Sequence, residues 1–257
     1  MRAMPRRRPH VEQESYFVSM TDLMIGLLLI FIILLMSFAV SYRGAEREQI
    51  EAEQRQQETV ERLTDNRRSI EYLLTAIKES LDRQGVQVSI DLESGILRLP
   101  ESILFERGSA DLNDPGRNAL GKLAVAMKPL LFCFARDPRE SGARPEHCPP
   151  ERTGRLETIL IEGHTDRVPI TAGRFRDNWD LSVARATNTF RTLRELDAGL
   201  FGFHNNRGDP LIGVSGYAET RELSATDDLG AMAANRRIDI RFIMAAPEQP
   251  STVGGEP

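Results

Sequence analysis

The chain has 257 residues, 33 Lys and Arg against 38 Asp and Glu, and a net charge of −5. That length bounds it to one or two modest domains. The mild acidity, with no basic patch in the large C-terminal part, excludes a nucleic-acid binder of the usual electrostatic kind.

The apolar residues are unevenly spread. Residues 1–15 are basic and Pro-containing, and read as a disordered tail. Residues 16–42 read as a membrane span. Leu23 to Val40 carries no charge, and its only polar side chain is Ser37. Those residues make about 27 Å of helix, close to the hydrocarbon thickness. Tyr16 and Tyr42 supply aromatic residues for the two interfaces. A cleaved signal peptide is the competing reading. The run is too long for one, and "FAVSYRGAER" offers only a weak cleavage site. Arg2, Arg6, Arg7 and Arg8 precede the span, whereas Arg43 and Arg47 are interleaved with Glu46 and Glu48. The positive-inside rule therefore keeps the N-terminus in the cytoplasm and exports the chain beyond residue 43.

One acid, Asp22, sits near the start of the span. It lies six residues after Tyr16, about 9 Å into a helix beginning there. An intramembrane carboxylate is costly and is by default a functional group. The alternative is an interfacial N-cap, for which Thr21-Asp22 is suited. The segment alone leaves both open. Ser19, three residues earlier, shares the helix face of Asp22 by spacing.

Residues 43–84 are rich in Glu, Gln and Arg and lack Pro, a helical composition. Val60, Leu63, Arg67, Ile70, Leu74, Ile77 and Leu81 alternate three and four apart, a heptad seam with one polar break. The seam predicts a parallel homodimer; the alternative is one helix laid against the next domain.

Residues 85–246 read as an α/β sandwich, a mixed sheet with helices packed on it. "VQVSIDLESGILRLP" predicts two strands around a Glu93–Ser94–Gly95 turn. "NDPGRNALGKLAVAMKPLL" predicts a helix entered at Asn113 or Asp114, with Pro115 in its first turn. "LETILIEGH", "LIGVSGYAE" and "RRIDIRFIM" read as strands, and "LSVARATNTFRTLREL" as a helix capped by Asn178 or Asp180. Residues 247–257 read as a polar, disordered tail. Cys133 and Cys148 flank a Pro- and Arg-rich loop. On the exported side they are candidates for a disulfide, against two free thiols.

Asp166 lies just past the end of a buried strand, and Arg185 on the helix after it. Such a pair can bracket a zwitterion, Asp166 taking an ammonium and Arg185 a carboxylate bidentately. A structural ion pair is the plainer alternative. His147, Cys148, His164 and Asp166 show no metal-ligand spacing, and Ser182 lacks a nucleophile-elbow context. No metal, cofactor or enzymatic activity is expected.

The blocks "LFERGSADLNDPGRNALGKLA", "GHTD", "NWDLSVARA", "GYAET" and "NRRIDIRF" resemble, in order, the peptidoglycan-binding domain shared by OmpA-type and MotB-type proteins. The resemblance implies that Asp166 and Arg185 grip the diaminopimelate of the wall stem peptide. It also places Thr165, Asn178, Leu181, Ser182, Asn235 and Arg236 at motif positions. The long spacing "RVPITAGRFRDNW" looks like the MotB branch. With a basic N-terminus, one acid-bearing span and a helical linker, the whole chain resembles the B-type stator subunit of ion-driven membrane motors. That resemblance implies a homodimer inside a pentameric MotA-like partner, with Asp22 carrying H+ or Na+. Flagellar stators usually carry a "YADF"-like context at this acid. "SMTDLMIGLLLIFIILLMSFA" is closer to the B subunit of Zorya anti-phage systems. A passive tether between membrane and wall is the alternative of a different class.

Overall fold

The computed structural model describes residues 12–106, 108–136, 148–149, 154–171 and 173–246, with main chain only for 12–19 and 45. The expected tail 247–257, most of the basic tail and the loop 137–147 lie outside the described residues. The chain divides into two compact units, Met1–Glu58 and Thr59–Pro257.

In the first unit the chain is helical from Glu12, within helix α1 (Glu12–Arg83), so the helix begins four residues before the expected span. Its large apolar side chains from Met20 to Tyr42 are all exposed. This stretch is long and apolar enough to make a single membrane span.

The second unit begins with the last turns of α1, which corrects the expected boundary at residue 85. Leu73, Leu74, Ile77 and Leu81 are fully buried in the core of this unit. The C-terminal half of the heptad seam is therefore spent on the chain's own domain. Only its first part, with Val60 and Leu63 about half exposed, faces outward.

After α1 come β1 (Ser89–Asp91) and β2 (Ile96–Pro100), turning at Gly95, whose φ of 69° suits glycine. A short helix α2 (Glu101–Leu104) leads to α3 (Asp114–Phe134). The side chain of Asn113 accepts from the Gly116 N–H at 2.7 Å and Pro115 sits in the first turn, as the sequence predicts. Then come β3 (Leu156–His164), α4 (Asn178–Leu196), a 3-10 turn (Ala198–Gly202), β4 (Ile212–Gly216), α5 (Leu229–Asn235) and β5 (Arg237–Met244). The cap of α4 is Asp177, which accepts from the Asp180 N–H at 2.9 Å, rather than Asn178 or Asp180. The fold is mixed α/β with a five-stranded sheet of order β1-β2-β5-β3-β4, in which β3 and β4 alone are parallel. Cys133 in α3 is bonded to Cys148, with Cα atoms 5.4 Å apart.

Side chains alternate across the sheet. One face, with Leu97, Leu99, Ile159, Ile161, Ile238, Ile240 and Phe242, packs with α3, α4 and the end of α1 into the core. Helix α4 approaches β3 closely because Gly163 has no side chain. A Cβ there would stand 2.0 Å from the Ser182 carbonyl oxygen, and one at Gly216 2.9 Å from the Val183 nitrogen. At Gly163 every close atom belongs to the Ser182 main chain and cannot swing aside; at Gly216 the Val183 and Ser182 side chains stand closer still, at 2.5 and 2.7 Å. Gly163→Ala is expected to cost about 3 kcal/mol, lowering the melting temperature of this unit by about 6–12 °C. Calorimetry on the full chain in detergent measures this; an unchanged melting temperature contradicts the packing.

Candidate functional site

The end of β3 delivers the site. The Thr165 N–H donates to the Ala218 carbonyl at 2.9 Å and the Tyr217 N–H to the Gly163 carbonyl at 2.9 Å, so β3 and the turn after β4 leave the sheet together. Ala218 holds a φ of 49°, an unusual conformation for a residue with a side chain. Its N–H donates to the Ser182 hydroxyl at 3.1 Å, which itself donates to the Trp179 carbonyl at 2.9 Å. Ser182 thus ties α4 to that turn. The Asn178 amide donates to the carbonyls of Asp166 and Val168, both at 3.2 Å, and fixes the loop below the site.

Four charges meet there. Asp166 accepts from the Val168 N–H at 3.1 Å through Oδ1 and from Arg236 Nη1 at 2.6 Å through Oδ2. Arg236 Nε donates to Glu101 Oε2. The other Glu101 oxygen accepts from Arg185 Nη2, and Arg185 Nε donates to the Ser109 carbonyl at 2.8 Å. The Arg185 guanidinium also lies over the Phe105 ring, 5.3 Å from its centroid. The order is Asp166–Arg236–Glu101–Arg185, two acids and two bases in alternation, with no net charge. Burial lowers the affinity of Arg185 for its proton, opposed by the Glu101 carboxylate. At Arg236 burial acts in the same sense but is outweighed by Asp166 and Glu101, and the guanidinium holds its proton more tightly than usual.

Asp166 and Arg185 form no direct ion pair, the plainer alternative; each is paired with another member of the cluster. The Nε–Nη2 edge of Arg185 is already taken. Arg185 is 1% exposed, whereas the Arg236 side chain is 23% exposed. Arg185 Nη1 has no hydrogen-bond partner among the described residues. The buried Thr165 hydroxyl beside Asp166 is likewise unpartnered there. Leu181 is buried under the first turn of α4. Asn235 is spent on main chain: its oxygen accepts from the N–H groups of Leu223 and Ser224, and its nitrogen donates to the Ser224 carbonyl. Of the eight motif positions, Asp166, Arg185 and Arg236 form the charged cluster, Thr165 borders it, and Asn178, Leu181, Ser182 and Asn235 support it. Sequence reading missed Glu101, which stands 84 residues from Arg185 and 135 from Arg236.

The opposite sheet face carries a second charged group. The cross-strand register sets Arg98, Asp239, Glu162 and Ser215 in one row. His164 Nε2 lies 3.6 Å from Asp239 and 3.9 Å from Glu162, and ligand atoms of these three lie within 4.8 Å of one another. The spacing would admit a cation, but the charge does not favour it. Arg241 forks Glu162 at 2.9 and 3.0 Å, Arg237 holds Asp239 at 3.0 Å, and Arg98 stands 3.7 Å from Asp239. Three guanidiniums already exceed the two carboxylates. Burial favours the neutral form of Glu162, but His164 and the Arg241 fork outweigh it and hold its pKa down at about 2. A carboxylate with a depressed folded pKa stabilises the fold above its unfolded pKa and loses that contribution as pH falls through the folded one. Stability is therefore expected to drop by about 3 kcal/mol between pH of about 4.5 and about 2 through this group. Denaturant unfolding at stepped pH measures it, and Glu162→Gln should flatten that limb. An equally steep limb in Glu162→Gln assigns the effect elsewhere.

No protein-family model matches the chain. It is 26% identical over 170 residues to Motility protein B of Bacillus subtilis (strain 168), covering 65% of this chain and 52% of that protein. The match thus spans about half of that relative's length. It is 26% identical over 247 residues to Uncharacterized protein YtxE of the same organism, covering 88% and 87%. Among solved structures, a MotB-like protein from Desulfovibrio vulgaris aligns at a TM-score of 0.48, with 20% identity, over 71% of this chain and 98% of that one. The cell wall anchor of the T6SS from Pseudomonas aeruginosa aligns at 0.45, with 20% identity, over 67% and 96%. In sequence the chain is similar to Motility protein B over 65% of its length.

Proposed function

We propose that this MotB-like chain is the wall-anchored stator subunit of an ion-driven motor in the inner membrane. The observation that carries the reading is the joining, in one chain, of an acid-bearing apolar helix to a domain with a neutral four-charge cluster, three of whose members, Asp166, Arg185 and Arg236, are at motif positions. Asp22 carries the ion, H+ or Na+, through a channel formed with a pentameric, multi-helix MotA-like partner around a homodimer of this chain. The N-terminus is cytoplasmic and the second unit periplasmic. There Asp166, Arg185 and Arg236 hold the diaminopimelate of the wall stem peptide, a zwitterion that matches alternating charges. The likeness to Motility protein B supports a motor role. The residues around Asp22 favour a Zorya-type defence system over a flagellar one. The chain acts by anchoring and ion transfer rather than as an enzyme.

A passive membrane-to-wall tether is the second reading. The burial of Leu74, Ile77 and Leu81 within the chain's own domain favours it, because that part of the seam offers a dimer nothing. Purification of the chain from its native membrane decides between them. A stator brings down a larger multi-helix membrane protein in excess over itself; a tether comes alone.

A further inference from the structure

Both Asp166 oxygens are engaged: Oδ1 by the Val168 N–H and Oδ2 by Arg236 Nη1 at 2.6 Å. Arg236 therefore stands where the ammonium of a zwitterionic ligand would go. Two cations on one buried oxygen repel each other strongly, because little water screens them. Arg236 has somewhere to stay. Its Nε already rests on Glu101, and its main-chain carbonyl accepts from the Glu101 N–H at 3.1 Å, so both side chain and backbone hold it there. It is also the most exposed of the four charges, its side chain 23% exposed against 9% or less for the other three.

We propose that Arg236 is a built-in stand-in for the ligand ammonium, and the residue that sets how strongly the site demands one. On binding, the ammonium takes Asp166 Oδ2 from Arg236 Nη1. Glu101 keeps the displaced guanidinium, and Arg185 Nη1 meets the ligand carboxylate. No covalent bond changes; one charge-assisted hydrogen bond is exchanged for another. The site thus stays neutral whether filled or empty, and a ligand lacking the ammonium leaves Arg236 latched. This inference rests on the wall-peptide reading of the same site.

The test is titration calorimetry of the full chain in detergent with two tripeptides. One is L-Ala-D-Glu-meso-diaminopimelate. The other carries 2-aminopimelate in its last position, which lacks the distal ammonium. The quantity read is the ratio of the two affinities, which a merely structural defect leaves unchanged. Arg236→Gln should raise the preference for the ammonium-bearing peptide by about fivefold or more, the scale of one charge-assisted hydrogen bond no longer competed for. Glu101→Gln should lower it, because Arg236 then has Asp166 as its only carboxylate. A wild-type chain that binds the first peptide, with a ratio unchanged or lowered in Arg236→Gln, overturns the exchange and leaves the wall reading standing. A wild-type chain that binds neither peptide overturns both.

Discussion

A chain carrying Asp22→Asn is expected to reach the membrane, retain its partner and bind wall material at wild-type levels, yet do no ion-driven work. Asn keeps the size and polarity of the side chain and removes the group that takes up and releases an ion. The helix has no other acid or base between Asp22 and Arg43, so nothing nearby can substitute. The loss should be complete rather than graded. Ion uptake by vesicles holding the chain and its membrane partner measures it. Residual uptake above about a tenth of wild type removes Asp22 from the path, since a lost obligate proton carrier costs orders of magnitude.

The second large effect is at Arg185. Arg185→Ala removes wall binding and destabilises the domain by about 3–5 kcal/mol, because Glu101 stays buried with one of its two guanidiniums gone. A cavity also opens over Phe105. Arg185→Lys should recover little, since an ammonium cannot reach the Ser109 carbonyl and Glu101 together as the guanidinium fork does. Asp166→Asn separates the two consequences. It preserves shape and most hydrogen bonding, so the fold should melt within about 1 kcal/mol of wild type while sacculus binding falls sharply. Retained sacculus binding in both variants contradicts the site.

The motif blocks brought together what periodicity could not. Strand β3, strand β4 and the body of α4 were legible as elements, although "LIGVSGYAE" read as strand beyond Gly216, where β4 ends. That Asp166, Arg185 and Arg236 meet came from the order of the blocks. Glu101 was invisible for a physical reason: it is one acid after Pro100, with no periodic partner, and only the sheet brings it to Arg236. The heptad seam misled in part. A three-four spacing reports that a helix buries one stripe, whether the cover is another chain or its own domain; Leu74, Ile77 and Leu81 chose the domain. The Asn178 cap failed because Asn178 is already the first helical residue; the extended residue before it, Asp177, accepts from the Asp180 N–H instead. Helices α2 and α5, of 4 and 7 residues, are too short to show a period. The close approach at Gly163 and Gly216 leaves no trace in hydrophobic pattern at all.

The central claim is that Asp22 works inside the bilayer. Among the described residues both cysteines are joined in the disulfide, so Asp22→Cys supplies a free thiol for a spin label. The depth of that label in lipid nanodiscs, read from its relative accessibility to oxygen and to a water-soluble nickel chelate, tests the claim most directly. The account predicts a label more accessible to oxygen than to nickel, below the cytoplasmic headgroups. A label as open to nickel as one at Tyr42→Cys would place residue 22 at the surface, as an ordinary helix cap, and contradict it.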